Sequence, residues 1–301
     1  MALLFSKEIL NAVDAELRNA KQSVQIISAY CKEDAIRKLD SKICPSIKNK
    51  RIMIRFRMDD ILRGSSDFSV LKYCLDNGWK VYIRFDLHAK TYIVDDKRGI
   101  VGSANATKSG LTGNASGNAE MATLVEIEQQ DKEKIEKLFV EAIEVEEKLV
   151  DEFSKQLNAV KDTSKIESAQ WSKEIRELFH PNIETLFSYE LPEKTEYQSG
   201  DYIQFLDAVF GDDSEVIKEK FRWSNAYLWL LNVIEKKGGV IYFGELSAEL
   251  HNALIEDPKP YRKDVKILLV NMLSLIEAWN MEEIIVDRPN FSQRIRLNKK
   301  N

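Results

Sequence analysis

LHAKTYIVDDKRGIVGSAN, residues 87–105, decides how this chain is read. It opens with His88 and Lys90 on HAKTYIVD, a stretch that predicts a β-strand. Alternate side chains of a strand share one face, so His88 and Lys90 point the same way. An imidazole there can attack or protonate a phosphoryl group, and an ammonium can hold its charge. Asp95-Asp96-Lys97-Arg98-Gly99 predicts a hairpin turn into a second strand, RGIVGSA. That strand runs into Gly102-Ser103-x-Asn105, small hydrogen-bonding residues that let an anion approach backbone N–H groups.

Upstream, SKEILNAVDAELRNA predicts an amphipathic helix, with Ser6 as N-cap and Ile9, Leu10, Val13 and Leu17 on one stripe. SVQIISAY reads as a strand, residues 33–39 as a short helix, and RIMIRFRM as a second strand. In it Arg55 and Arg57 alternate with Ile54 and Phe56, so the two arginines line a phosphate-bearing groove or form a solvent face. Phe68 to Asp76 predicts a helix stopped by Asn77-Gly78. WKVYIRF and Glu120 to Ile127 complete the strands. Alternating helices and strands make an α/β domain.

Downstream, an apolar stripe through Ile135, Leu138, Phe139, Ala142, Ile143, Val150, Phe153 and Leu157 predicts one long helix from about Asp131 to Val160. Residues 161–200 are polar and mixed, with a helix over Ser172 to Phe179 and a linker, ELPEKTEYQSGD, over 190–201. Helices over Asn225–Lys236, Phe243–Leu254 and Arg262–Trp279 precede two strands in MEEIIVDRPNFSQRIRLN, joined by a turn at Arg288-Pro289-Asn290. Three helices and a β-hairpin resemble a winged helix. Lys259, Arg262, Lys263 and Lys266 would open its recognition helix, and Arg288, Arg294 and Arg296 its wing, a natural nucleic-acid contact. The expected domains are residues 1–127, a helical connector and linker over 128–200, and a winged-helix-like domain over 201–301.

The 301 residues carry a net charge of −5, with 44% hydrophobic and 31% charged residues, which describes a globular protein. Net acidity argues against indiscriminate nucleic-acid binding but not against a local basic groove. No apolar run approaches the ~20 residues of a membrane span. MALLF is too short for a signal peptide. Cys31, Cys44 and Cys74 form no CxxC and read as buried reduced thiols. A cytoplasmic location follows from these readings. Neither HExxH nor paired CxxC occurs, so no metal or other cofactor is expected.

His-x-Lys, four residues, Asp, six residues, Gly-Ser-x-Asn is similar to the signature of the phospholipase D superfamily, with His88, Lys90, Asp95, Gly102, Ser103 and Asn105 in its positions. The stretch from Arg57 to Lys90 resembles single-motif, nuclease-like members, among them restriction endonucleases of the phospholipase D type. The similar region spans roughly residues 1–126. The resemblance implies a phospholipase D-like mixed sheet flanked by helices, followed here by the long helix and the winged-helix-like domain. It implies a nucleophilic or acidic His88, a phosphate held by Lys90 and Asn105, a hydrogen bond from Ser103, and a Glu120 carboxylate that orients the histidine. Asp95 and Gly102 support the turn. One histidine attacks phosphorus and a second protonates the leaving group. His180 and His251 lack a lysine two residues on, so the second catalytic histidine is expected from a second chain, in a homodimer with a composite site on its two-fold axis. DNA is the expected substrate, with RNA not excluded, in restriction or antiphage defence and with an ATPase or other defence-complex partner. The alternatives are a phospholipid or small phosphodiester hydrolase, and a non-catalytic dimeric subunit that binds DNA or protein.

Overall fold

The structure, a computed structural model, describes residues 3–111, 117–160, 170–179, 181–211 and 214–298. It divides into two compact units, Met1–His180 and Pro181–Asn301. The first contains β1 (Leu3–Phe5), α1 (Lys7–Asn19), β2 (Ser23–Ser28), α2 (Glu33–Asp40), β3 (Asn49–Arg55), α3 (Met58–Leu62), α4 (Ser69–Asp76), β4 (Trp79–Arg84), β5 (Lys90–Val94), β6 (Arg98–Gly102), β7 (Met121–Glu126), α5 (Gln129–Val140), β8 (Ile143–Glu144), α6 (Glu147–Ala159) and α7 (Lys173–Arg176).

These eight strands form one mixed sheet in the order β1-β7-β6-β5-β2-β3-β4-β8. Strands β2, β3 and β4 are parallel and the remaining pairs antiparallel. All six residues of central β2 are buried, as expected of a strand covered on both faces. Ile27 and Met53 face Phe139 of α5 and Tyr82, whose ring meets Phe139 edge-on at 5.0 Å. Their neighbours Ile26, Ile52 and Val81 alternate to the other face. Helix α1 buries the Ile9, Leu10, Val13 and Leu17 stripe as expected. Ser6 precedes it but makes no side-chain cap; its hydroxyl donates to the Asn118 carbonyl instead. Helix α4 ends at Asn77-Gly78, with Gly78 at φ +74°. The β5–β6 hairpin turns through Asp95 and Asp96, both in the left-handed region.

The single helix expected over Asp131–Val160 is two helices separated by β8. Ile143 pairs with Ile83 of β4, and the Val145 N–H donates to the Val81 carbonyl. Ile143 and Val145 alternate with Glu144 and Glu146, a β-branched period-two pattern that a free sheet edge captures. Beyond α6, Trp171 stacks on Phe56 (centroids 5.6 Å apart, planes 3° apart) and its Nε1 donates to the Phe56 carbonyl at 2.7 Å. The segment expected as connector therefore contributes to the first unit's core.

The second unit contains β9 (Tyr202–Ile203), β10 (Ala208–Val209), α8 (Ser214–Arg222), α9 (Asn225–Lys236), β11 (Val240–Tyr242), α10 (Phe243–Ala253), α11 (Arg262–Ala278), β12 (Ile284–Asp287) and β13 (Arg294–Leu297). The expected helices and hairpin are present, and β11 adds a third strand in the order β11-β13-β12. Residues 190–201 are not a bare linker. Leu186, Leu191 and Ile203 are fully buried in the core around Trp229, Leu230 and Leu269, and Asn271 donates to the Pro192 carbonyl. Apolar side chains interspersed in a polar run found a core to enter. Among the cysteines, Cys31 and Cys74 are buried as expected, while Cys44 is exposed.

Candidate active site

Strand β5 begins at Lys90, opposite Ser28 on β2. His88 lies just before the strand rather than on it. The Lys90 stem is buried and its Nζ donates to the His88 carbonyl at 2.6 Å. The same nitrogen stands 3.2 Å from both Nδ1 and Nε2 of His88, so the ammonium faces the ring instead of bonding one nitrogen. The His88 ring is exposed. Lys90 first, then burial, then Arg55 and Arg57 push its pKa below the ordinary 6.5. Burial, and then Arg55, push Lys90 below the ordinary lysine value, with Glu120 pulling the other way.

Asn105 follows β6 in a tight turn, with Gly110 folded against it. A Cβ on Gly110 would meet the Asn105 carbonyl oxygen at 2.5 Å. The Asn105 Oδ1 accepts from the Tyr30 N–H at 3.1 Å, which fixes the amide. No described residue accepts from its Nδ2, which leaves two donors for an anion. Ser28 ties the strands together: its hydroxyl donates to the Tyr30 carbonyl and accepts from the Ala106 N–H. His88, Lys90, Ser103 and Asn105 line a cavity of about 660 Å³, bordered by the apolar side chains of Leu3, Val101 and Met121.

Other expected site residues take roles that the linear pattern did not separate. Asp95 accepts from the N–H groups of Lys21, Gln22 and Ser23, so it braces the α1–β2 turn as well as its own hairpin. Burial raises its pKa, but those N–H groups outweigh it and the carboxyl sits below its usual range. Gly102 is needed for strand packing, since a Cβ there would lie 2.4 Å from Ala122 Cβ. Ser103 is held by β7: its N–H donates to the Met121 carbonyl, its hydroxyl accepts from the Met121 N–H and donates to Glu120. The backbone N–H of Ser103 is thus spent on the sheet and does not face an anion. Glu120 is buried and accepts also from Asn118. Its carboxylate makes no hydrogen bond to His88, the orienting contact that the resemblance implied.

The strand carrying the two arginines ends at Arg55, so period-two alternation does not extend to Arg57. Arg55 is clamped on both carboxylate oxygens of Asp60, at 2.8 and 2.7 Å, and donates to the Tyr30 hydroxyl at 2.5 Å. Arg57 donates to the Phe85 carbonyl at 2.5 Å. Both still exert charge on His88. Sequence reasoning did not select Tyr30, Asp60 or Ser28; no local motif marks them, because strand pairing brings them together.

In the second unit, Arg262, Lys263 and Lys266 are exposed on α11, and no described residue pairs with them. Arg294 is bound to Asp287 through two 2.8 Å hydrogen bonds, and Arg296 reaches the same carboxylate. His251 lies on α10, and His180 lies outside the described residues. No group of three metal-ligating side chains occurs among the described residues, and none of their helices is long and apolar enough to cross a membrane.

The family described as "Cardiolipin synthase, PLD-like domain" matches residues 13–143, which include His88, Lys90, Asn105 and Glu120. The first unit carries a phospholipase D-like domain. None of the curated proteins matches the chain. Among solved structures, the chain is similar to Nuc, a phospholipase D family member from Salmonella typhimurium, at 18% identity over 48% of this chain and 96% of that one, with a TM-score of 0.39. It is similar also to NucT from Helicobacter pylori, at 19% identity over 48% and 98%, with a TM-score of 0.37. A phosphatidylserine synthase from Haemophilus influenzae Rd KW20 shares 14% identity over 48% and 39%, with a TM-score of 0.38. The phospholipase D-like domain places its histidine, lysine and asparagine at one end of the sheet, beside the carboxyl ends of β2 and β3.

Proposed function

We propose that the chain is a metal-independent phosphodiesterase, and specifically a DNA endonuclease that works through a phosphohistidine. The observation that carries the reading is the exposed His88 imidazole, held toward its neutral form by the buried Lys90 ammonium that faces it. A neutral ring nitrogen attacks phosphorus. Lys90 and the Asn105 Nδ2 take up charge on the non-bridging oxygens. The P–N bond forms as the P–O bond to the leaving nucleoside breaks, and that oxygen takes a proton from a second histidine. The second histidine then removes a proton from water, which cleaves the P–N bond and frees His88.

The second histidine is His88 of a second copy. Leu3, Val101 and Met121 are exposed at the cavity border, and an isologous partner would cover them while bringing its own ring to the two-fold axis. Glu120 would then orient the ring in the assembled site. The second unit, with its winged-helix-like arrangement and free cations on α11, suits nucleic acid better than lipid. Restriction or antiphage defence, with a partner that restrains or drives the nuclease, is the setting such a combination serves.

The test is cleavage of supercoiled plasmid in excess EDTA by wild type and His88→Ala, with phosphatidylglycerol vesicles as the competing substrate. Plasmid nicking that the mutant lacks supports the reading. Hydrolysis of vesicles but not plasmid moves the activity to lipids, and activity unchanged in His88→Ala removes the mechanism.

A further inference from the structure

The turn between β12 and β13 presents a side chain that the fold does not use. Phe291 is fully exposed and its backbone lies at φ +67°. A large side chain rarely adopts that region, and burial, the usual reason to keep a phenylalanine, is absent. The strain therefore has no compensation inside the unit. The charges around it differ in availability. Arg294 and Arg296 are both engaged by Asp287, which Arg294 above all holds down to a pKa of about 2. Arg288, on the same turn as Phe291, is exposed and has no partner among the described residues, like Arg262, Lys263 and Lys266 on α11.

We propose that Phe291 stacks on a nucleobase of an unpaired or locally opened strand, with Arg288 on the adjacent phosphate. An isolated ring flanked by a free cation matches the two chemistries that alternate along a nucleic acid, a π-face and an anion. A membrane would need a broader apolar surface than one ring provides. The inference rests on the nucleic-acid reading of this chain and narrows it to strands with exposed bases. Of the three wing arginines read from the sequence, it keeps Arg288 at the tip and sets aside Arg294 and Arg296, which Asp287 engages.

The probe is an oligonucleotide carrying 2-aminopurine, single-stranded or in the bulge of a duplex, titrated with the full chain bearing His88→Ala to prevent cleavage. Stacking is expected to quench the 2-aminopurine. Phe291→Ala should remove the quenching and weaken binding about tenfold, while Phe291→Trp restores both. Binding to uninterrupted duplex should change less than about twofold. Phe291→Gly should weaken binding in the same way yet leave Tm unchanged or raised, because glycine accepts the left-handed backbone; a structural role would lower it. Equal affinity and quenching in Phe291→Ala overturns the proposal while leaving the nucleic-acid reading intact. Absence of oligonucleotide binding by any variant overturns both. Binding to phosphatidylglycerol vesicles that depends on Phe291, without binding to oligonucleotide, assigns the tip to membranes and overturns it as well. Hydrolysis of bis(p-nitrophenyl) phosphate by chains retaining His88, with or without Phe291→Ala, reports the catalytic reading separately.

Discussion

As the proposed nucleophile, His88 can attack only while uncharged. Lys90, burial, Arg55 and Arg57 all lower its pKa from 6.5, so the neutral ring persists to a lower pH than in a free histidine. The acid limb of the rate profile under single-turnover conditions should accordingly lie below pH 6.5, with activity lost as pH falls through it. In Lys90→Met the main cause of the depression is gone, so the residual activity should show that limb moved upward. A limb above pH 6.5 in wild type would contradict this electrostatic account. Asp60 poses a different problem, since it and Arg55 are both largely withdrawn from water. Asp60→Asn leaves the guanidinium half-matched, and denaturant titration should show a loss of about 3 kcal/mol. Released Arg55 would also free Tyr30, whose N–H orients Asn105, so KM should rise along with the loss of stability. His88, Lys90 and Asn105 were legible in the sequence because their spacing is local. Tyr30 and Asp60 were not, since the Tyr30–Asn105 contact joins residues 75 positions apart and only sheet pairing creates it.

The β6–β7 pair shows why one motif glycine belongs to the scaffold. At Gly102 the strands approach so closely that a methyl group would overlap Ala122 and the Met121 carbonyl. Gly102→Ala should cost about 1–3 kcal/mol through overpacking and lower Tm by several degrees. An unchanged Tm would mean that β7 moves aside freely. The strands and helices of the first unit were largely readable from periodicity, because most carry one clear period. Legibility failed where two periods overlapped. Residues 141–146 continue the helical stripe through Ala142 and Ile143, yet also alternate Ile143-Glu144-Val145. The edge of β4 favours the second pattern, which no local rule can weigh. The polar run over 190–201 misled for a related reason: Leu191 and Tyr197 are few and scattered, but both pack into the second unit's core. β11 was missed because Val240, Ile241 and Tyr242 are too few to signal a strand without β13 beside them.

At the scale of the whole molecule, the proposed chemistry needs two histidines, and among the described residues His88 alone brings an imidazole to the cavity. The chain is acidic overall, yet exposed cations gather on α11 of the second unit, while the candidate site lies in the first, so the proposed function divides holding and cutting between the two units. A composite site makes a quantitative prediction about mixed assemblies. Wild type and His88→Ala, tagged differently, denatured together at equal amounts and refolded, should reassort into two homodimers and a heterodimer. If each site takes one ring from each copy, the site of a heterodimer holds only one His88 and is inactive. Activity should then fall to about a quarter of the all-wild-type value, the share of wild-type homodimers in random pairing. If every protomer cuts alone, about half the activity remains. The two outcomes differ by a factor of two, well within the resolution of a plasmid-nicking assay. Light scattering on the same sample shows whether the dimers formed. A quarter with dimers present fixes the composite site, while half, or full activity in a monomeric fraction, requires the second proton carrier to lie within the chain.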